Sequence, residues 1–498
     1  MNYFNRAKLI RQFFLIGYLM IAHHINGQVV SIDQYINVFK IKNHVYFLAS
    51  DDLQGRNTGE PGNAIAAEYI SAHFRKIGLK YLPGKVDYYQ DMEMSMAKPG
   101  QGQIKMLDQE LKQNEGFLCL NGVREDFVAP AVFLGFGDTD SLYRMETVKD
   151  KVIVVWLGAE NDRNLYKALG LSSTKRRWAQ IARAKALIEV YNMNMPWGVL
   201  KNFLSQARLV SGSRDNTIFH GLVNFSENDH RSQIKEISNK QIEVNHTGMD
   251  TQPVVAQNIV GMINGTDSIL KDQYILLSAH FDHVGVKKGT PAGQDSIYNG
   301  TRDNAIGTAA ILAAAEYFNS HPTKRSIIFA AWNGEEKGLL GSKHFVENPL
   351  IPLHQIRFNL NIDNAGYNDT SLISVIGLER TGASQDIEKA CQLVRLRVEG
   401  DPAPEQNLFD RSDNVNFANI GIPAPTFSLG FTSFDQEISR FYHQTADHPD
   451  SVDYSYLNRY WTAYILTAES LGNRTENPRW KQGDKYEPSA KTLYGSGY

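Results

Sequence analysis

Residues 274–285 read YILLSAHFDHVG, and residues 326–336 (SIIFAAWNGEE) and 358–363 (FNLNID) repeat the same pattern. Each segment begins with a short apolar run and ends in acidic residues or a histidine. Between the first two, residues 300–304 (GTRDN) open a stretch rich in Ala and Ile, which suits a helix buried against a sheet. Short apolar runs that alternate with helical segments predict βαβ units with a buried parallel sheet. The ligand site of such a sheet lies beyond the carboxyl ends of its strands, where these polar residues fall.

The length, amino-acid composition and net charge of the chain narrow the classes of protein to which it can belong. The chain has 498 residues, enough for two or three domains and a full core. Its hydrophobic content of 42% and charged content of 21% are ordinary for globular proteins. A formal net charge of −3 gives no attraction to nucleic acid or to an anionic membrane. The densest basic patch, Lys175-Arg176-Arg177, is expected on a solvated helix face.

The N-terminus has the pattern of a secretory signal. Arg6, Lys8 and Arg11 precede the apolar run 13–22 (FFLIGYLMIA), which is too short for a comfortable membrane span. We therefore expect residues 1–27 to be a signal peptide, and the mature protein to be periplasmic or extracellular without stable membrane insertion. An N-terminal anchor that stays attached is the alternative.

The two cysteines, Cys119 and Cys391, lie far apart in the chain. We expect two buried thiols in different domains rather than a disulfide. Stability then depends on the core and on bound metal.

The remaining chain divides into four segments. Residues 31–115 form the N-terminal part of the main domain, and residues 251–472 form its core. Residues 116–250 differ in sequence pattern from the segments on either side, with short strands expected at 131–137 and 151–158 and a helix over 178–190. They contain no cluster of acids and histidines with ligand spacing. We interpret them as an inserted domain without its own chemistry. Residues 473–498 are a polar C-terminal tail that is expected to be loose.

The candidate functional residues each have an ordinary explanation. A single histidine after a strand, such as His280, is as often packed as ligating, and Asp303 before a helix favours the helix dipole. Glu335 and Glu336 are harder to dismiss, because two adjacent acids at a sheet end repel each other unless a cation is present or one is protonated. The full set comprises His280, Asp282, Asp303, Glu335, Glu336, Asp363 and His443.

In combination these side chains point to a metal-dependent hydrolase. Imidazole and carboxylate ligands together suit zinc. Asp282 aside, two histidines, three carboxylates and a spare glutamate are more than one zinc ion needs, whereas two ions bridged by a carboxylate would use them all. Such a pair activates a shared water, and the spare glutamate accepts its proton.

The chain resembles the co-catalytic two-zinc aminopeptidase family, which includes bacterial leucyl aminopeptidases and aminopeptidase Y. The motifs that carry the resemblance are 278–285 (SAHFDHVG), 300–307 (GTRDNAIG), 332–342 (WNGEEKGLLGS), 361–366 (NIDNAG) and 442–447 (YHQTAD), in the family's order. The resemblance implies an α/β fold, namely a zinc-peptidase α/β/α sandwich with a mostly parallel central mixed sheet. The insert resembles the smaller α/β protease-associated domain of exported members.

The resemblance also implies a role for each residue. His280 and Asp363 would hold one of two zinc ions per chain, and Glu336 and His443 the other. Asp303 would bridge them.

Three further roles follow from the same resemblance. Glu335 would be the general base that acts on the metal-bridging water, and then the acid that protonates the leaving amine. Asp282 would orient His280 or its neighbours from outside the ligand set. Tyr442 would donate a hydrogen bond to the developing oxyanion. His283 is not expected to be a ligand, and Asn414 stands where many members have His.

The expected function is that of an exported zinc exopeptidase, an aminopeptidase acting on peptide substrates. Two alternatives stay open. A glutaminyl cyclase of the same fold works with one zinc, and a binding domain keeps the fold but loses ligands. A carboxypeptidase or dipeptidase is also compatible with the sequence, which leaves the oligomeric state open as well.

Overall fold

The computed structural model describes residues 36–162, 164–211, 218–225, 230–495 and 498. The predicted signal peptide, residues 1–27, lies outside these ranges. The chain divides into two compact units, Met1–Met92 with Val255–Tyr498, and Glu93–Val254. The second unit thus begins at Glu93, before the insert boundary expected at residue 116. Cys119 and Cys391 are both buried, and they lie in different units.

The strands, in chain order, are β1 (Tyr89–Pro99), β2 (Gly102–Met106), β3 (Gln109–Lys112), β4 (Phe117–Asn121), β5 (Glu125–Phe133), β6 (Val152–Trp156), β7 (Ala186–Val190), β8 (Arg208–Ser211), β9 (Phe219–Val223), β10 (Gln241–His246), β11 (Met249–Ile263), β12 (Tyr274–His280), β13 (Ser326–Trp332), β14 (Ile356–Ile362), β15 (Leu372–Ile376), β16 (Arg397–Glu399) and β17 (Thr426–Leu429).

The α-helices are α1 (Val38–Leu48), α2 (Pro61–Ile77), α3 (Met145–Val148), α4 (Leu165–Ile181), α5 (Trp197–Leu204), α6 (Arg231–Lys235), α7 (Ile306–Ser320), α8 (Leu340–Glu347), α9 (Ser384–Leu393), α10 (Asn414–Asn419), α11 (Gln436–Phe441), α12 (Tyr454–Asn473) and α13 (Glu487–Tyr494). Within the described ranges, no helix combines the length and the apolar character that crossing a membrane requires.

A mixed sheet forms the centre of the first unit. Its strand order is β16-β15-β17-β14-β12-β13-β11. The three strands predicted from the sequence, β12, β13 and β14, pair in parallel, and so do β14 with β17 and β15 with β16. Among the described strands in this order, β11 and β15 introduce antiparallel pairs, with β13 and β17 respectively. The predicted mostly parallel mixed sheet is confirmed.

Helices cover both faces of this sheet. Alternate residues of β12 point to opposite faces, so Ile275 and Leu277 join one apolar core and Leu276 joins another. The first core is completed by α1, α2, α7, α9 and α12, and the second by Phe345 of α8 and Phe417 of α10. The result is the expected α/β/α sandwich.

The second unit is built on a sheet of its own, with the order β3-β2-β10-β5-β6-β7-β9-β4. Strands β5, β6, β7 and β9 are parallel neighbours. The helix expected over residues 178–190 was wrong, because α4 ends at Ile181 and Ala186–Val190 is the buried strand β7. The spacing of Ala182, Ala186 and Val190 also fits a buried strand, and pairing with β6 and β9 decides the outcome.

A buried ionic network ties α4 to this sheet. Lys175, which was expected on a solvated face, is fully buried, and its Nζ donates to Glu189 Oε1 at 3.0 Å and to two backbone carbonyl oxygens. Glu189 also accepts a hydrogen bond from Ser172, and its Oε2 lies 3.1 Å from His220 Nε2. Burial alone would raise the pKa of Glu189, but His220 and Lys175 lower it. The network therefore holds a carboxylate in the core.

The C-terminal segment is packed, not loose as expected. It contains α13, and Trp480 and Ala490 are buried in a cluster with Phe409. Trp480 donates its ring N–H to Gly421 O at 3.0 Å. These apolar side chains are few among many polar ones, which explains why composition misled the prediction.

Replacing Lys175 with Met should destabilise the second unit strongly. The change leaves the carboxylate of Glu189 in the core without its main cation, and breaking such a pair costs about 3–5 kcal/mol. The free energy of opening, measured by hydrogen exchange at the amides of β7, reports the loss.

The matched control is Lys105→Met in the same unit. Lys105 pairs with Glu243 at 3.1 Å, but its side chain is 44% exposed, and pairs of this kind contribute at most about 1 kcal/mol. Equal small losses in both variants would contradict a charged Glu189.

Candidate metal centre and active site

The carboxyl ends of three parallel strands deliver most of the candidate residues to one place. His280 ends β12, Glu335 and Glu336 follow β13, and Asp363 follows β14. Asp303 lies just before α7, and its peptide bond to Asn304 is cis. His443 comes from the segment after α11 and adopts a positive φ of 53°.

The first group of donors contains His280, Asp303 and Asp363. His280 is buried, and its Nε2 lies 3.2 Å from Asp303 Oδ1 and 3.3 Å from Asp363 Oδ1. One donor atom of each residue lies within 4.8 Å of the others. The two carboxylates therefore converge on a single imidazole nitrogen.

The second group contains His283, Asp303, Glu336 and His443. His443 Nε2 lies 3.0 Å from Asp303 Oδ2 and 3.2 Å from Glu336 Oε2. His283 Nδ1 lies 2.7 Å from the other oxygen of Glu336, Oε1. Asp303 thus belongs to both groups, and each of its oxygens faces a different histidine.

Asp282 lies behind the donors. Its carboxylate accepts the backbone N–H groups of Glu335 at 3.1 Å and Glu336 at 3.3 Å, and the Thr58 hydroxyl at 3.1 Å. Its Oδ1 is also 3.7 Å from His280 Nδ1. Asp282 is therefore placed to orient both the histidine and the pair of glutamates.

A buried arginine that the sequence analysis missed supports the loop around the site. Arg56 is fully buried and donates to the carbonyl oxygens of Phe281 at 2.8 Å, Asn299 at 2.6 Å and Gly300 at 3.0 Å, and to Leu48. Burial lowers the pKa of Arg56 to about 10, and the nearby carboxylates of Asp282 and Asp303 act to raise it. The guanidinium therefore stays positively charged near these carboxylates at neutral pH. No sequence signal identified it, because its partners are backbone carbonyls distant in the chain.

The electrostatics of the donor groups are dominated by acids. Burial alone would raise the pKa of Asp303, but contacts with His280 and His443 hold it well below its usual value. Burial would lower the pKa of His443, yet Asp303 and Glu336 raise it to about 10. Burial opposes protonation of His280 too, and Asp363 and Glu335 raise its pKa well above the ordinary value. The pocket is strongly negative and demands positive charge.

Glu335 differs from its neighbour Glu336. Burial raises the pKa of Glu335 well above its usual value. Asp363 and Glu336 also act to raise this pKa, whereas His280 acts to lower it. Burial and Asp303 also act to raise the pKa of Glu336, but contacts with His283 and His443 lower it to about 2. Two adjacent glutamates thus have opposite proton affinities, which suits one for binding a cation and the other for moving a proton.

Asp303, Glu335 and Asp363 line a cavity of about 80 Å³. Its remaining wall is mixed, with apolar side chains such as Ile376 and Phe431, polar side chains such as Ser412 and Ser428, and the cationic side chain of Arg411. Tyr442 stacks on His443 with ring centroids 4.1 Å apart, and its hydroxyl lies 3.5 Å from Arg411 Nη2. The cavity can receive a substrate side chain next to the donor groups.

Comparison with known proteins shows similarity to peptidases. The model of Peptidase family M28 matches residues 258–467. This segment is similar to peptidase family M28, and the match covers less than half of the chain. The chain is 26% identical over 200 residues to "Aminopeptidase YwaD" of Bacillus subtilis, covering 40% of each chain. It is 29% identical over 251 residues to "Probable lipoprotein aminopeptidase LpqL" of Mycobacterium tuberculosis, covering 45% of this chain and 47% of the relative.

The matched region thus spans less than half of these curated relatives. Among solved structures, the aminopeptidase from Aneurinibacillus sp. strain AM-1 aligns with 90% of this chain and 96% of its own, with a TM-score of 0.54 and 17% identity. That similarity shows the fold. The predicted family resemblance, the peptidase assignment of its core and the α/β fold are confirmed.

The donor set of the M28 segment fits divalent metal ions. Imidazole nitrogens and carboxylate oxygens are zinc ligands, and both groups offer them at close range. Glu336 Oε1 and both ring nitrogens of His283 are buried without a hydrogen-bond partner among the described residues, and an ion nearby would satisfy such atoms. His283, which was not expected to be a ligand, stands beside Glu336 in the second group.

Replacing His443 with Ala should remove one of the two ions. His443 is the imidazole that faces both Asp303 and Glu336, so its loss leaves the second ion with carboxylates and His283 only. Zinc per chain, measured after dialysis against a fixed free zinc concentration, should fall by about one equivalent, since a tetrahedral ion loses one of its protein ligands.

His283→Ala is the matched comparison, because His283 faces the outer oxygen of Glu336. We expect this variant to keep both ions. Zinc loss in His283→Ala together with full zinc content in His443→Ala would reverse the assignment of the second ligand set.

Proposed function

We propose that this chain is an exported zinc-dependent exopeptidase, an aminopeptidase that hydrolyses N-terminal residues from peptides. The observation that carries the proposal is the position of Asp303. Its Oδ1 faces His280 at 3.2 Å and its Oδ2 faces His443 at 3.0 Å, so one carboxylate joins two donor groups. This is the arrangement that a bridging ligand of two ions requires.

The ligand assignment follows from the two groups. His280 and Asp363 would hold one zinc ion, and Glu336 and His443 the other, with Asp303 between them. Glu336 would bind through Oε2, which faces His443, while its Oε1 lies 2.7 Å from His283 Nδ1. Bound in this way, two zinc ions would polarise the scissile carbonyl and lower the pKa of the attacking water.

Glu335 is the group that moves protons. It is adjacent to the ligand Glu336 and lines the same cavity as Asp303 and Asp363. Its raised pKa suits a base that takes a proton from the attacking water and returns it to the leaving amine. Tyr442, at the same cavity, would donate its hydroxyl hydrogen to the developing oxyanion.

The flanking segments complete the proposal. Residues 1–27 would direct export and be removed, and the printed name of the Mycobacterium tuberculosis relative, a lipoprotein, is compatible with an exported location. The unit Glu93–Val254 would correspond to the protease-associated-like insert.

The experiment that tests the function combines metal content with hydrolysis of aminoacyl amides by the purified mature protein. We expect two zinc ions per active centre, activity that a chelator removes and zinc restores, and no release of C-terminal residues from N-terminally blocked peptides. One zinc ion with cyclisation of N-terminal glutamine would establish the cyclase alternative. Absence of hydrolysis in fully zinc-loaded protein would leave the binding-domain alternative.

Glu335→Gln should retain the zinc content of the wild type and lose turnover by roughly 10²–10⁴-fold, because an amide cannot accept the proton of the attacking water. The readouts are kcat on an aminoacyl amide and zinc per chain in the same preparation.

Glu347→Gln provides the control, since Glu347 lies on α8 with its side chain 59% exposed. It should match the wild type in both readouts. Near-normal kcat in Glu335→Gln would remove the proposed mechanism.

A further inference from the structure

A second cluster of metal-binding side chain types lies on the helical layer of the first unit. His44 of α1, His73 of α2 and Glu316 of α7 each offer a donor atom within 4.8 Å of the others. The His44 and His73 rings meet edge to face with centroids 4.5 Å apart, and His73 Nε2 lies 3.2 Å from Glu316 Oε1. Three separate helices therefore converge on one point.

This cluster is distinct from the candidate active site. Glu316 lies ten positions after Ile306, the first residue of α7, which corresponds to about 15 Å along the helix axis. None of the three residues lines the cavity that contains Asp303, Glu335 and Asp363. An ion bound here would not share a ligand with the proposed catalytic pair.

The chemistry of the cluster suits a transition metal ion. Neutral imidazole and ionised carboxylate are the ligand forms that bind zinc, and His44, His73 and Glu316 supply these two types of group.

The hydrogen bonds of the cluster leave ligand atoms unused. The Tyr69 hydroxyl lies 2.6 Å from His44 Nδ1. In the tautomer in which Nδ1 donates its hydrogen to that hydroxyl, the lone pair of Nε2 is available to an ion. His73 Nε2 is buried, and despite its distance of 3.2 Å from Glu316 Oε1 it makes no hydrogen bond of acceptable geometry with any described residue. A buried nitrogen without a partner is costly unless an ion or a water satisfies it.

The surroundings of the cluster allow an ion to enter from solvent, and they limit how tightly the cluster can bind it. The cluster lines a surface cavity of about 870 Å³ that Lys40, Asn43 and Lys76 also border. Lys40 Nζ lies 3.5 Å from Glu316 Oε2, and its side chain is 64% exposed. Lys40 therefore occupies the oxygen that points away from His73, and it can move into solvent when an ion binds.

We propose that His44, His73 and Glu316 bind one zinc ion, or another divalent transition metal ion with the same ligand preference, and that this ion fastens α1 and α2 to α7. Two imidazoles and one carboxylate are an established zinc ligand set, with solvent completing the coordination.

Zinc content of the full-length mature protein tests the proposal. After dialysis against a fixed free zinc concentration, wild-type protein should hold one more zinc ion than His73→Ala and than Glu316→Gln. Both variants should keep wild-type activity on aminoacyl amides. Because the measured quantity is a difference between variants, it is independent of whether the catalytic pair is filled.

Hydrogen exchange at the amides of Val38–Leu48 supplies the second readout. Free zinc at a hundred times the dissociation constant should slow the exchange that proceeds through release of α1 by about 100-fold in the wild type, and leave Glu316→Gln unchanged. His354→Ala, at an exposed histidine after α8, should behave as the wild type in both measurements.

Equal zinc content in the wild type, His73→Ala and Glu316→Gln would overturn the proposal. So would zinc-independent exchange of α1 in the wild type. Glu316→Gln keeps the shape of the side chain, so it remains informative if His73→Ala fails to fold.

Discussion

The site depends on one carboxylate that is shared between two imidazoles. Asp303 is buried, and its two oxygens face His280 and His443, which come from opposite ends of the M28 segment. Asp363 and Glu336 add one further carboxylate to each side. Burying so many acids is unfavourable unless positive charge accompanies them, either as protons on the imidazoles or as bound cations. The demand for cations is therefore built into the arrangement of the carboxylates and does not depend on any single ligand.

The parallel sheet makes this arrangement possible, because strands β12, β13 and β14 are parallel neighbours that end at the same edge. The sheet determines where the strands end, but it does not determine the orientation of the side chains that follow them. Hydrogen bonds from buried polar groups set that orientation. Asp282 accepts the amides of Glu335 and Glu336, which fixes the direction of the turn after β13. Arg56 holds carbonyl oxygens of Asn299 and Gly300, just before Asp303. These contacts hold the donors in place before any ion arrives, which is how a metal centre gains affinity and geometric selectivity.

Much of this could be predicted from the sequence, and the limits have physical causes. Strands β12, β13 and β14 were predictable because each is a short apolar run that ends in charged residues. The strand at residues 186–190 was not predictable, because the fourfold spacing of Ala182, Ala186 and Val190 fits both a helix and a strand. Pairing with neighbouring strands decides between the two, and the local sequence does not show that pairing. Lys175 was assigned to solvent because its partner Glu189 lies on a different element, and local sequence carries no sign of a buried pair. Arg56 and the cluster of His44, His73 and Glu316 were missed for the same reason, because each joins segments that are distant in the chain.

The two kinds of metal site that the chain supports differ in charge, and the difference separates their roles. Around Asp303 the carboxylates of Asp363, Glu335 and Glu336 outnumber the cationic side chains close to them, so ions there gain strong electrostatic stabilisation in a buried setting. At Glu316 a single carboxylate is shared with Lys40, and the cavity is open to solvent. An ion between the helices would therefore be held less tightly than a pair at the sheet edge, and it would exchange more readily with free zinc in solution. We infer that ions at Asp303 would serve the chemistry, whereas an ion at Glu316 would couple the docking of α1 to the free zinc concentration.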